Sequence, residues 1–396
     1  MDRAISVTGN IYWVGVNDRR TDLFESIWPL PRGVAYNSYL VVDEKIALID
    51  TVKAPFQMDY LEKIREVIGE RRVDYLVINH MEPDHSGSIT FLREIFPDLK
   101  IIGNKKTMEF LRDFYGVADN TIIVADGETL PLGSTTLEFR LTPMVHWPET
   151  MMTYDTSSKM LFAGDAFGAF GTLDGGIFDD ELDIGYYEDE TLRYFSNIVG
   201  KYSQMVLKAA EKLAGLDIRV IGATHGPVWR KNPQHVIDLY LKWSRQETEK
   251  GAVVAFASMY GNTEKMADTV ARALSEGGIE KVIVHDVSRT HVSYLIRDIW
   301  RYRGLVLGSC TYNLKLFPLM ELLIGFLENE GIKNHVLGIF GSYSWSGGAV
   351  KRLLEFSEKI KLDMVEPVVE IKCSPTEDDL LRCAEIGNAV ARKLNE

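Results

Sequence analysis

Apolar positions along the first 250 residues follow two periods, one typical of buried strands and one typical of amphipathic helices. Short apolar runs bounded by polar residues predict strands at 36–42, 46–49, 73–78, 121–124, 136–141, 160–162 and 219–222. Helical spacing, ended by proline or polar residues, predicts helices at 58–68, 88–96 and 234–244. This part of the chain is therefore predicted to alternate strands with helices around a buried sheet.

A second and more regular pattern begins near Ala252, after the polar run 245–251, which is predicted to be a linker. Strands are predicted at 252–257, 282–284, 304–307 and 336–340. Helices are predicted at 264–274, 293–302, 318–328, 349–360 and from Glu377 onward. This strand–helix alternation predicts a doubly wound parallel sheet. We therefore expect two domains, residues 1–249 and 250–396.

Residues that bind metal ions come just after several predicted strands of the first domain. The hexapeptide His80-Met81-Glu82-Pro83-Asp84-His85 follows strand 73–78, and later loops contribute His146, Asp165 and His225. Because such loops lie at one rim of an α/β sheet, residues distant in sequence are expected to meet there. Imidazole and carboxylate together bind transition metals, and this oxygen-rich mixture suits iron or manganese. Seven ligands are too many for one tetrahedral ion and suit two ions that share a bridge.

At these residues the chain resembles the metallo-β-lactamase fold, whose hydrolases carry His-x-His-x-Asp-His and bind zinc. Glu82 stands where those hydrolases have their second histidine, and that difference matches the flavodiiron proteins. The resemblance implies that His80, Glu82 and His146 bind the iron nearer the flavin. It implies that Asp84, His85 and His225 bind the other iron, with Asp165 bridging the two. No catalytic residue beyond these ligands is predicted.

Three loops of the second domain combine hydroxyl groups, backbone N–H groups and aromatic rings. The first precedes a predicted helix, whose N-terminus stabilises a phosphate without basic residues. The other two follow buried strands and suit a planar, amphipathic ring. They resemble the flavodoxin loops that bind FMN, and the absence of a Gly-x-Gly-x-x-Gly motif favours FMN over FAD. The predicted FMN contacts are Ser258, Met259, Tyr260, Gly261, Asn262, Thr263, Ser309, Cys310, Thr311, Tyr312, Asn313, Ser342, Tyr343, Ser344, Trp345, Ser346 and Gly347.

Composition and charge narrow the choice of partners. The net charge of −13 argues against nucleic acid, because binding phosphate backbones needs a basic surface. No apolar run is long enough to span a bilayer, and the N-terminus lacks the features of a secretory signal. The three cysteines, Cys310, Cys373 and Cys383, form no Cys-x-x-Cys pair and are predicted to be structural. We expect a cytoplasmic protein without an attached rubredoxin-like iron site.

The flavodiiron resemblance covers nearly the whole chain and implies a fold, an activity and an assembly. The fold is a metallo-β-lactamase-like αββα sandwich followed by a flavodoxin-like domain. The activity is reduction of O2 to water or of nitric oxide to nitrous oxide at two non-haem irons, with electrons entering through FMN. The external donor is expected to be a rubredoxin-like protein or a reduced deazaflavin. The assembly is expected to be a head-to-tail homodimer or a pair of dimers.

Two other functions are compatible with parts of the sequence. One is a di-zinc hydrolase of the metallo-β-lactamase fold with a regulatory flavodoxin-like domain, although Glu82 argues against it. The other is an electron carrier or redox sensor that does not consume either gas. Metal analysis distinguishes the first of these from the oxidoreductase, and gas consumption distinguishes the second.

Overall fold

The computed structural model describes residues 3–396 and divides them into two compact units. The first unit ends at Leu241, and the second runs from Lys242 to Glu396. Each unit is described by itself.

The first unit contains two stacked β-sheets with helices between the strands. Its strands are β1 Ile5–Thr8, β2 Ile11–Trp13, β3 Val16–Asp18, β4 Leu23–Phe24, β5 Trp28–Pro29, β6 Val34–Tyr36, β7 Tyr39–Val42, β8 Ile46–Ile49, β9 Tyr75–Val77, β10 Lys100–Gly103, β11 Thr121–Ile123, β12 Thr129–Pro131, β13 Thr136–Leu141, β14 Met151–Asp155, β15 Met160–Phe162, β16 Val220–Gly222 and β17 Val228–Trp229. Its α-helices are α1 Gln57–Ile68, α2 Pro83–Ser86, α3 Ile89–Ile95, α4 Lys105–Tyr115, α5 Ile184–Tyr194, α6 Ser203–Leu213 and α7 Pro233–Ser244, the last of which ends in the second unit. Short 3-10 or π turns lie at Ala54–Phe56, Phe195–Val199 and Gly200–Tyr202.

The two sheets of the first unit pack against each other and share one hydrophobic core. The first sheet has the order β1-β2-β7-β8-β9-β10-β11, and the second has the order β12-β13-β14-β15-β16-β17. Apolar residues of both sheets form one buried cluster, in which Val41 and Ile49 of the first join Phe139 and Phe162 of the second. Burying these faces against each other removes apolar surface from water, which is the main driving force for this layered arrangement.

The second unit is built on one largely parallel sheet. Its strands are β18 Glu249–Ala257, β19 Val282–Asp286, β20 Tyr302–Tyr312, β21 Lys315–Leu316, β22 Val336–Tyr343, β23 Asp363–Met364 and β24 Val369–Lys372. Its helices are α8 Asn262–Glu276, α9 Val292–Arg301, α10 Pro318–Glu330, α11 Ala349–Ile360 and α12 Glu377–Asn395. The sheet order is β19-β18-β20-β22, with β23 and β24 both pairing with β22, and only β21 pairs antiparallel.

Helices cover this sheet in two groups. Alternate residues of β18, Ala252, Val254 and Phe256, share a buried cluster with α8 and α12. The helices α9, α10 and α11 form the other group, contacting one another and the sheet. This is the doubly wound arrangement that the strand–helix alternation predicts. Pro318 begins α10 as expected, since its missing N–H has no partner at that position.

The structure differs from the sequence prediction in three places. The strand predicted at 36–42 is interrupted, because Asn37 turns its side chain to the carbonyls of Ala223 and Gly226, 2.9 Å from each. The run 245–251 is not wholly a linker, since β18 begins at Glu249 and pairs there with Tyr302. The structure also contains elements that were not predicted: the strands β1 to β5, β10, β12, β14, β17, β21, β23 and β24, and the helices α2, α4, α5 and α6. No helix among residues 3–396 combines the length and the apolar character needed to cross a membrane.

Candidate metal centre and flavin loops

The hexapeptide that begins at His80 follows β9 and turns into the single-turn helix α2. Pro83 occupies the first helical position, and the N–H groups of His85 and Ser86 donate to the carbonyl of Glu82 at 2.9 and 3.0 Å. The turn therefore presents four polar side chains from six consecutive residues at the end of one strand of the first sheet.

The remaining candidate ligands come from loops of the second sheet. His146 lies between β13 and β14, Asp165 follows β15, and His225 follows β16. Because β15 and β16 are parallel neighbours, their following loops meet, and the N–H of Thr224 donates to the carbonyl of Gly164 at 2.9 Å. Gly226 has φ +71°, and a Cβ there would lie 2.7 Å from that of Ala169, so glycine is required. The predicted meeting of distant residues is correct, but they come from two sheets rather than from one rim.

The seven candidate side chains form two adjacent groups, with ligand atoms within 4.8 Å of one another in each. One group contains His80, Glu82, His146 and Asp165, and the other contains Asp84, His85 and His225. Asp165 faces both groups. Its Oδ2 lies 3.0 Å from Nε2 of His146, and its Oδ1 lies 3.1 Å from Nε2 of His85.

Several buried polar atoms of this cluster are unpaired in a way that fits bound cations. Among residues 3–396, neither carboxylate oxygen of Asp84 makes a hydrogen bond, although Oδ2 lies 3.2 Å from Nε2 of His85. The Nε2 atoms of His85 and His225 face each other at 3.0 Å. Buried carboxylates and imidazoles that point at a common space are stabilised by a metal ion in that space.

Neighbouring groups fix the orientation of two of the imidazoles. Nδ1 of His80 donates to Oε1 of Glu149 at 2.8 Å, and Nδ1 of His225 donates to the carbonyl of Ala35 at 2.8 Å. In the neutral ring each contact keeps the proton on Nδ1, so that Nε2 is the nitrogen that can bind a metal. The hydroxyl of Thr224 donates to Oδ1 of Asp165, which holds the carboxylate between the two groups.

The charges of the cluster shift the pKa values of its members in opposite directions. Burial lowers the pKa of His80, but Asp165 and hydrogen bonds to Glu149 and Glu82 raise it by more, so that it lies well above its usual value. Burial likewise opposes the effect of nearby carboxylates on His85 and His146, whose pKa values rise to about 10 and about 9. Burial raises the pKa of Asp165, but His85 and His80 bring it well below its usual value. The raised pKa values favour protonation of His80, His85 and His146 in the absence of metal, and a cation must displace those protons.

Two supporting residues were not identified from the sequence. Glu149 accepts from the ring of His80 and also from the backbone N–H of Met81, at 2.9 Å. Asp50 accepts from the backbone N–H groups of Asn79 and His80 at 2.7 and 3.3 Å, and burial raises its pKa to about 6. Their positions in the sequence could have identified them, since Glu149 stands three residues after His146 and Asp50 ends a predicted strand.

The flavin loops of the second unit meet at the carboxyl ends of β18, β20 and β22. Gly261, with φ +85°, precedes α8, and its N–H donates to the hydroxyl oxygen of Ser258 at 3.0 Å. The hydroxyls of Thr263 and Ser342 lie 2.9 Å apart and join the first loop to the third. The enclosed crevice between the loops is about 50 Å³. Its size suits a phosphate group at a helix N-terminus.

Most of the predicted FMN contacts line this crevice: Ser258, Met259, Tyr260, Asn262, Thr263, Cys310, Thr311, Ser342, Tyr343 and Ser344. The other predicted contacts, Gly261, Ser309, Tyr312, Asn313, Trp345, Ser346 and Gly347, lie outside its lining. Tyr260 and Trp345 are highly exposed, at 90% and 77%. Cys373, predicted to be structural, also lines the crevice and is exposed.

Comparison with known proteins agrees with the predicted folds of both domains. The family model described as ODP family beta lactamase matches residues 34–226, and the flavodoxin model matches residues 254–387. The chain is 34% identical to the nitric oxide reductase of Moorella thermoacetica, covering 100% of both proteins.

Two solved structures resemble it closely. One is the rubredoxin oxygen:oxidoreductase of the anaerobe Desulfovibrio gigas, with a TM-score of 0.95 and 30% identity over 99% of each chain. The other is the flavodiiron protein of Giardia intestinalis, with a TM-score of 0.95 and 27% identity over 100% of this chain and 97% of that one. The predicted αββα sandwich and flavodoxin-like sheet are thereby confirmed.

Proposed function

This chain belongs to the flavodiiron protein family, and on that premise we propose that it reduces O2 to water, nitric oxide to nitrous oxide, or both. It is an oxidoreductase that depends on FMN and on two non-haem irons. The hydrolase alternative has no support among the relatives described above, which are reductases.

The seven buried side chains that form the two adjacent groups are the observation that carries the proposal. His80, Glu82 and His146 would hold one iron, and Asp84, His85 and His225 would hold the other. Asp165 would bridge them, since its two oxygens face different groups. Four imidazoles with three carboxylates form a mixed nitrogen and oxygen set that suits iron.

The irons would supply Lewis acidity and electrons to a diatomic gas, and FMN would pass on electrons from outside. The protein contributes orientation and exclusion of water. Glu149 and the carbonyl of Ala35 hold two imidazoles so that Nε2 faces the centre. The side chains of His80, His85, His225 and Asp165 are completely buried. Glu82 and Asp84 are each 12% exposed, so these two carboxylates form the side of the centre that lies nearest to solvent.

The three loops around the crevice would hold FMN. The phosphate would lie at the N-terminus of α8, against the Ser258 and Thr263 hydroxyls. The ring is larger than the enclosed crevice and would lie against the exposed aromatic side chains Tyr260, Tyr312 and Trp345. The residues outside the crevice lining therefore keep a proposed role at the ring.

The electron donor is proposed by its chemical class, and the assembly is a prediction from the sequence. The D. gigas relative is a rubredoxin oxygen:oxidoreductase, which supports a rubredoxin-type donor for this chain. A reduced deazaflavin is the alternative donor. The head-to-tail dimer, the domain boundaries at 249 and 250, and the cytoplasmic location remain predictions.

Anaerobic reduction followed by separate challenge with O2 and with nitric oxide tests the activity. Consumption of either gas by protein that holds two irons and one FMN per chain would support the proposal. The D165N variant should lose iron and turnover. The matched D155N variant, which changes a buried aspartate at the end of β14, opposite the first residue of β15, should keep both. Two tightly bound zinc ions and no gas consumption in the unmodified protein would refute the function.

A further inference from the structure

An apolar cavity of about 460 Å³ lies in the first unit, between α6, α7 and the second sheet. Ala209, Ala210 and Leu213 of α6 form one wall, and Ile237 and Leu241 of α7 form the facing wall. The charged or amide side chains in the lining, Asp217 and Gln234, belong to exposed residues. The buried part of the lining is therefore apolar apart from the hydroxyl group of Tyr240, and the charged and amide groups lie on exposed residues.

The floor of the cavity directly adjoins the metal centre. Val145 lines the cavity and precedes His146, while Ala166 and Phe167 line it and follow Asp165. These two ligands contact each other, with Nε2 of His146 3.0 Å from Oδ2 of Asp165. The cavity thus approaches the centre from the side of the His146–Asp165 pair.

The wall between the cavity and the centre is one chain segment thick. Residues 166 and 167 face the cavity, and a Cβ built on Gly168 would lie 3.4 Å from Cβ of His225. The ring of Tyr240 packs at 4.7 Å from that of Phe167 and is buried. Aromatic and aliphatic side chains therefore separate this side of the centre from water, whereas Glu82 and Asp84 form the partly exposed side.

We propose that this cavity binds the uncharged diatomic gas and delivers it to the metal centre past Val145 and Phe167. The inference rests on the proposed function and adds a binding site to it. O2 and nitric oxide are small and nearly apolar, so an apolar cavity concentrates them relative to water. Empty apolar cavities stay dry and bind apolar guests such as xenon.

Xenon tests the site without any turnover, because it needs neither iron nor FMN in order to bind. Crystals pressurised with xenon should show it between Ala210 and Ile237. The A210F variant should lose that xenon, since the new ring points into the empty space. The I237W variant fills the cavity from the facing wall and serves if A210F does not fold. A cavity occupied by a larger apolar molecule that xenon does not displace would overturn the inference.

Kinetics then relates the cavity to turnover. A210F or I237W should keep iron, FMN and kcat but raise KM for the gas roughly threefold or more. The matched control is A384F, which enlarges a partly buried alanine on α12 in the second unit and should leave KM unchanged. If A210F and I237W have the same KM for the gas as A384F, the inference is wrong, but the proposed function still stands. An unmodified protein that reduces neither gas would overturn both.

Discussion

Replacing Glu149 by glutamine should weaken iron binding, although it substitutes none of the proposed iron ligands. Oε1 of Glu149 accepts from Nδ1 of His80 at 2.8 Å and from the N–H of Met81 at 2.9 Å, and all three residues are buried. E149Q keeps the shape of the side chain but removes its charge. It also places an amide group where Oε2 has no hydrogen-bond partner within the described chain.

The size of the effect follows from these two hydrogen bonds. A hydrogen bond to a charged group contributes about 1.5–3 kcal/mol and a neutral one about 0.5–1.5 kcal/mol. Making both bonds neutral should therefore cost about 2–3 kcal/mol, with no solvent to screen the loss. Losing a partner that orients a metal-binding histidine typically lowers metal affinity about 10- to 100-fold, which agrees with that range.

Anaerobic titration with ferrous iron against a competing chelator measures the change. The matched control is E188Q, because Glu188 also pairs with a histidine, at 2.7 Å from Nε2 of His235, but on a partly exposed surface. E188Q should bind iron like the unmodified protein. If E149Q binds both irons within twofold of the unmodified protein, the orientation of His80 by Glu149 does not matter and the reasoning is wrong.

Three further changes test other parts of the structure. Replacing Trp345 by alanine should weaken FMN binding, measured by flavin fluorescence, while iron content stays the same; a parallel loss of iron would contradict the two-site assignment. Iodoacetamide should label the exposed Cys373 before Cys383, whose pKa burial raises to about 12, and bound FMN should slow the labelling of Cys373. Burial raises the pKa of Asp298, but hydrogen bonds from His285 and Arg297 lower it by more, so its contribution to stability is complete above its usual pKa and is lost as pH falls further. Urea unfolding of D298N between about pH 2 and pH 5 should therefore show a weaker acid dependence than the unmodified protein, and equal slopes would count against this contribution.

Local sequence was sufficient to identify a functional site wherever that site is formed by consecutive residues. The run from His80 to His85 carries four of the proposed ligands, and its proline sets the turn that presents them. The run from Ser258 to Thr263 joins β18 to the first turn of α8, as its pattern predicts. In both cases the chemistry and the backbone geometry are encoded within a few residues, so no distant contact is needed to recognise them.

Supporting contacts were missed because they depend on the distance between loops. Glu149 lies 69 positions from His80 and orients its ring. Asn37 interrupts a predicted strand because its amide reaches residues 223 and 226, which lie in the loop between β16 and β17 of the other sheet. The linker prediction failed at Glu249 for a similar reason, since pairing with Tyr302 extends the strand into a polar run.

By itself the amino-acid sequence determined the doubly wound second domain, the metal-binding residue types and the flavin loops, because hydrophobic period and short motifs are local properties of a chain, whereas the sandwich fold of the first domain was implied by the family resemblance. Only the tertiary structure decided that ligands from two sheets form two adjacent groups, and that Asp165 faces both. It also decided that an apolar cavity adjoins them. These features arise from packing between loops that are far apart in sequence. The hydrophobic periodicity of a sequence does not predict which packed surfaces contact each other.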